Sequence, residues 1–155
     1  MKSLIVSLAL VPALVAAGSV HAAGNKPPTS RWEARSAGKS SVALVAGPGA
    51  LQTVSLMCRD GAPVIALVLK PGQPASQPAQ LAINFGVMRV DLPLTRSPDR
   101  GNIWYSDLRA SPLPKLLASQ SGKAAVALNG TPQGDLSLQG STQASRTALG
   151  ACYRY

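Results

Sequence analysis

The chain has 155 residues, with 15 lysines and arginines against 6 aspartates and glutamates, one histidine and two cysteines, for a net charge of +9 at pH 7. That length suits one domain with one core. The arginines stand singly, as at Arg59, Arg89, Arg96, Arg100, Arg109 and Arg146, which argues against the dense basic runs of a nucleic-acid tail or a polybasic membrane segment.

Residues 1–22 read as a secretory signal. Lys2 gives a positive start, Leu4 to Ala17 an apolar run, and Val20-His21-Ala22 a peptidase site. The run is too short for a permanent transmembrane helix. Cleavage is expected after Ala22, with Ala23 as the near alternative, leaving about 133 residues of net charge about +8. His21, the single histidine, departs with the leader, which removes imidazole-based nucleophile pairs and metal sites. The product is expected to be periplasmic or secreted, without a transmembrane segment.

Residues 23–30 form a short polar leader, expected to be flexible, and residues 31–155 a single β-rich domain. Strands are expected over 31–37 and 41–46, with Gly47-Pro48-Gly49 ending the second. Two β-rich runs, 52–59 and 63–70, flank Asp60-Gly61, a strong hairpin signal. A Pro-rich loop covers 71–78. A strand pair follows around Gly86 (80–85 and 87–94), then a turn at 97–101 and a β-prone stretch at 102–108 with Trp104 and Tyr105.

Residues 112–119 place Leu113, Leu116 and Leu117 at helical spacing behind an early proline. Two further strands are expected at 123–129 and 134–140, with 129–134 turning between them. The last segment, 141–152, reads as a helix capped by Ser141 or Thr142, with Ala144, Ala148, Leu149 and Cys152 on one face. The expected fold is α+β, mainly β. It is a β-sandwich-like domain of about seven or eight strands with a short internal helix and a C-terminal helix.

Cys58 and Cys152 are an even pair in a chain bound for an oxidising compartment, which predicts one disulfide. It closes a loop of about 95 residues, worth about 4–5 kcal/mol in the chain-entropy model.

Tests for chemistry turn up no machinery. Ser36-Ala37-Gly38-Lys39 has the Ser-x-x-Lys spacing, but that chemistry needs a helix, and Gly38 between strand-like segments predicts a turn. Asp60 and Asp99 sit in turns, and Asp91 and Asp107 have Arg89 and Arg109 beside them, so no carboxylate pair is set apart for acid–base work. There is no Asp-x-Asp-x-Asp run for calcium. Gly47-Pro48-Gly49 reads as a turn, as does Asn129-Gly130-Thr131, which also fits the glycosylation triplet. Trp32, Trp104 and Tyr105 suit either a stacking platform or a core, the core being the commoner fate. No enzyme activity, cofactor or metal is expected.

Several residues together form a recognisable pattern. Trp32 opens the domain, Cys58 ends a strand, and Trp104-Tyr105-Ser106 precedes a Leu-rich helix. The chain closes on strand, Gly140, small-residue helix, Cys152 and Tyr153. Over residues 31–153 this resembles the type VI secretion-associated TagO (VasI) proteins and is similar to the invasion-associated locus B proteins. It departs from them at Leu136-Ser137-Leu138, where a Phe-containing strand is usual, and at Tyr153, where Trp is common. The resemblance implies a non-catalytic, exported accessory role.

The expected function is that of a non-enzymatic exported accessory protein. It would bind an envelope or secretion-system component, an envelope protein or an anionic polymer or surface. The alternative is an inhibitor of an extracellular enzyme. Candidate partner-binding residues are Arg59, Arg89, Arg96, Arg100, Arg109, Trp104 and Tyr105.

Overall fold

A computed structural model describes residues 27–72 and 79–155. The segment expected to be a secretory signal, residues 1–22, and part of the expected Pro-rich loop lie outside the described residues. The domain is mainly β. Its nine strands are β1 (Glu33–Ala37), β2 (Ser40–Ala46), β3 (Leu51–Arg59), β4 (Ala62–Leu69), β5 (Ala79–Asn84), β6 (Arg89–Arg96), β7 (Ile103–Asp107), β8 (Lys123–Leu128) and β9 (Thr131–Ser137). Two helices, α1 (Leu113–Ser119) and α2 (Ser141–Leu149), complete it among the described residues. The strands form one antiparallel sheet in the order β1-β2-β3-β4-β7-β6-β5-β8-β9.

The sheet has two halves joined at β6. That strand pairs with β5 from Arg89 to Leu94, but with β7 only through Thr95 and Arg96. Alternation buries one face of each half. Val54, Leu56, Ile65 and Leu67 from one half share a single core with Leu81, Ile83, Leu92 and Val126 from the other. The two edge strands then come together beyond their ends. The Trp32 amide donates to the Gln139 carbonyl at 2.9 Å, and the Trp32 indole Nε1 to the Ser137 carbonyl at 2.8 Å. The two edges that such a sheet presents are thus tied to each other at Trp32.

Hairpin chemistry sets the register. Asp60-Gly61 and Asn129-Gly130 both have positive φ at the two central positions, as a two-residue primed turn requires. The second turn corrects the expected boundary of β9. The strand begins at Thr131, directly after the turn, where residues 129–134 were expected to be loop. Pro132 is tolerated because β9 ends the sheet, and Gly134, opposite Val126, lies at the register shift that leaves Gln133 between it and Pro132, the partner of Ala127.

Helix α2 buries Ser141, Ala144, Ser145, Ala148 and Leu149 and packs against β1, β2, β3 and α1. Its cap differs from expectation: Gly140, in the left-handed region, is the N-cap residue. Ser141 Oγ instead donates to the Leu117 carbonyl at 2.6 Å and ties α2 to α1. A Cβ on Gly140 would lie 2.8 Å from the Trp32 carbonyl, so the close passage of the N-terminal segment also demands glycine. Cys58 and Cys152 form the disulfide, joining the end of β3 to the residues just after α2. At the other end of the domain, Thr29, in the leader expected to be loose, accepts a 2.7 Å bond from the Ala46 amide.

Candidate functional site: the outer face of the β3–β4–β7 sheet

β4 is an almost unbroken apolar run, so both of its faces are apolar. Pro63, Ile65, Leu67 and Leu69 alternate inward. Ala62, Val64, Ala66 and Val68 face the other way, and no helix lines the hollows they form. Register places Ser55 of β3 and Tyr105 of β7 on either side of Ala66. It places Met57 and Asp107 beside Val64, and Ile103 beside Val68. Val42 and Leu44 of β2 continue the same face opposite Met57 and Ser55, both half-buried. The floor along β4 is therefore built of small side chains, between longer ones on β3 and β7.

Two hollows occupy this face. One, of about 300 Å³, is mainly aliphatic, with Met57, Val64, Ala66, Val68 and Ile103 among its walls. The other, of about 420 Å³, holds Asp60, Asp107 and Arg109. They share Arg59, Val64 and Tyr105. Arg59 reaches from β3 across β4 to place its guanidinium carbon 5.0 Å from the centre of the Tyr105 ring, a cation–π contact that marks the boundary between them.

The charges at the polar end are unequally committed. Arg109 Nε and Nη2 meet Asp107 Oδ2 at 2.8 and 2.7 Å, and the Arg109 amide donates to Asp107 Oδ1 at 2.8 Å. These bonds hold the Asp107 carboxyl below its usual range and raise the Arg109 guanidinium above its own. Arg59 is held more loosely. Its nearest carboxylate is Asp60, at 3.8 Å and 95% exposed.

The candidate partner-binding residues separate accordingly. Arg59, Arg109 and Tyr105 come together on this face. Trp104 does not: it lies on the opposite face of β7, is 1% exposed, and packs into the core. Residues adjacent in a strand point to opposite sides, so Trp104 and Tyr105 cannot serve one surface. With Trp32 also buried, the three aromatics form no stacking platform. Arg89 lies on β6 and is chelated by Asp91, with contacts of 2.8–3.0 Å. Arg96 Nε caps the Gly101 carbonyl at 2.9 Å and braces the β6–β7 turn, where Arg100 is exposed.

The remaining sequence motifs take structural roles. Ser36 sits in β1 and Lys39 in the turn after it, so no helix brings them together. The Asn129 carboxamide oxygen accepts from the Gln80 amide at 2.8 Å and fixes the β8–β9 hairpin against β5. Among the described residues, no group of three or more His, Cys, Asp or Glu side chains is placed to hold a metal ion, and no helix is long and apolar enough to cross a membrane.

Reading single residues missed the aliphatic side of the site. The signal was present in the unbroken apolar run of β4, which forecasts an apolar outer face without saying whether anything covers it. No protein-family model, curated protein or solved structure matches the chain.

Proposed function

We propose that this is an exported, non-catalytic accessory protein that works by binding a component of the cell envelope on the outer face of β3, β4 and β7. One observation carries the reading: an aliphatic hollow on a sheet face, bounded at one end by Arg59 stacked on Tyr105. Contiguous apolar surface rimmed by charge is characteristic of interaction sites. The carboxylates beside it are occupied by arginine or face open water, which suits recognition better than proton transfer. The secretory leader, the disulfide and the resemblance to type VI secretion-associated and invasion-associated proteins support the compartment and the accessory role.

The test compares envelope extracts passed over immobilised wild-type protein and over Ala66→Phe, which fills the floor of the hollow. The expected result is a retained component that is lost on the variant and weakened by salt. Equal retention by both proteins would overturn the reading.

A second reading, inhibition of an extracellular enzyme, is favoured by the β5–β6 hairpin. Its tip is apolar: Val87 is 101% exposed and Met88 is exposed beside it. A projecting apolar tip is suited to entering a cleft. A panel of hydrolases assayed with wild-type protein and Val87→Asp decides it. Inhibition that the substitution abolishes supports this reading, and no inhibition of any panel member counts against it.

A further inference from the structure

We infer that the ligand of this face is a free single-chain anionic amphiphile, with its hydrocarbon chain along β4 and its head group on Arg59. The inference rests on the reading of the face as a binding site and names the chemistry the face would accept.

The distribution of hydrogen-bonding groups decides between ligand classes. The backbone groups of β4 are committed to β3 on one side and β7 on the other. Ser55 Oγ, within the aliphatic hollow, is spent on the Ala66 carbonyl at 3.1 Å. An extended peptide lying here would bury its own amides against Met57, Val64 and Ile103 with nothing to receive them, a costly arrangement. A hydrocarbon chain has no such demand. The charged side chains lining the two hollows all lie at the Arg59 end, while the far end, beside Ile103, offers only the Ser97 hydroxyl, and that is the polarity of an amphiphile.

Size and charge agree with this. From Val64 to Val68 the floor runs about 13 Å, matching an extended alkyl chain of about ten carbons. Val64 and Ala66 are only 6% and 8% exposed, so the floor is recessed between its walls. Of the two arginines at the polar end, Arg109 is committed to Asp107 by its side chain. Arg59 stands at the junction of the two hollows, and none of its donors is hydrogen-bonded to a carboxylate among the described residues. Its planar fork suits a carboxylate, sulfate or phosphate head. The net positive charge of the whole chain favours the approach of an anion over that of a cationic surfactant.

The experiment titrates the intact, disulfide-bonded protein with dodecanoate and dodecyl sulfate below their micelle concentrations. Uncharged dodecyl maltoside and anionic phospholipid vesicles are the comparison probes. Calorimetry and the methyl NMR signals of Met57 and Ile103 are the readouts. The expected result is saturable one-to-one binding of both anions, with shifts at Met57 and Ile103. Binding should fall about tenfold in Arg59→Gln, in line with loss of a charge-assisted hydrogen bond, and further in Ala66→Phe. Arg59→Gln alters an exposed side chain and tests the inference even if Ala66→Phe folds poorly.

Three results would overturn the inference: no saturable binding, anion binding indifferent to Arg59→Gln, or binding to vesicles alone. If an envelope component is captured on the wild type and lost on Ala66→Phe while no amphiphile binds, only the amphiphile is refuted. If capture also ignores the substitution, the site itself is refuted.

Discussion

The indole of Trp32 hydrogen-bonds the main-chain carbonyl of Ser137 across 105 residues of sequence, and this contact joins the two ends of the nine-stranded sheet. Trp104, buried in the same core, has an indole nitrogen that meets no hydrogen-bond acceptor among the described residues. Two buried tryptophans therefore hold opposite positions in the energetics of the fold.

Replacing each by phenylalanine separates them. Trp32→Phe deletes the indole donor and leaves the Ser137 carbonyl without that partner, at a cost of about 1–3 kcal/mol beyond the lost volume. Trp104→Phe loses similar volume but also removes an unpaired donor. Urea unfolding should show Trp104→Phe to be the milder change by about 1 kcal/mol or more. Equal losses would mean that the Trp32 bond contributes nothing to closure.

The seam has a second point of contact at the β2–β3 turn. Ala50 donates its amide to Gln133 Oε1 at 2.8 Å, and a Cβ on Gly49 would lie 2.7 Å from the Gln133 carbonyl oxygen. Gly38 also has positive φ, but a Cβ there would meet nothing within 4 Å. Gly49→Ala and Gly38→Ala therefore share the backbone penalty, and only the first adds a clash. We expect Gly49→Ala to be the more destabilising by about 1–3 kcal/mol in thermal or urea unfolding. A reversed order would place β9 away from this turn.

The Cys58–Cys152 bridge spans 94 residues. Cys58→Ser with Cys152→Ser should lower unfolding stability by about 4 kcal/mol, and wild-type protein under reductant should fall by a similar amount. The effect should appear as a lower urea midpoint. An unchanged midpoint under reductant would show that the core holds α2 in place unaided.

Asp107 gives a prediction in pH. Its folded pKa is depressed, chiefly by the Arg109 side-chain hydrogen bond. The pair therefore contributes above the unfolded aspartate range, and the contribution fades as pH falls through the lower folded value. Asp107→Asn lacks it at every pH. The stability gap between the two proteins should be small, because the pair is exposed, greatest near neutrality, and closed in strong acid. Paired urea titrations from neutral to acid pH check this, and a gap widening on acidification would contradict it.

The outer face was legible only in outline. The apolar run of β4 announced a strand, though reading single residues missed its apolar outer face, and single arginines flagged Arg59 and Arg109 as recognition candidates. Nothing in residue order said that Arg59 would cross β4 to reach Tyr105, because that contact depends on β7, not β5 or β6, being the neighbour of β4. Trp104, named with Tyr105 as a partner-binding candidate although a core place was the commoner expectation, is parted from it for a related reason. A tryptophan and a tyrosine in succession look like one aromatic patch in sequence, and a strand sends them to opposite sides.

Local chemistry determined most of the elements. Asp60-Gly61 and Asn129-Gly130 dictated their turns by backbone conformation, and Leu113, Leu116 and Leu117 set a helix by their spacing. The cysteines, an even pair read together with an expected secretory leader, announced their bridge. These signals act over a few residues, or through composition, and so survive in the linear order. Tertiary structure alone decided how the strands were shuffled, that Trp32 would seal the last strand to the first, and that no helix among the described residues would line the hollows on the outward side of β4. Those outcomes follow from shape and burial among segments far apart in the chain, where the free energy lies in shared contacts that no single segment encodes.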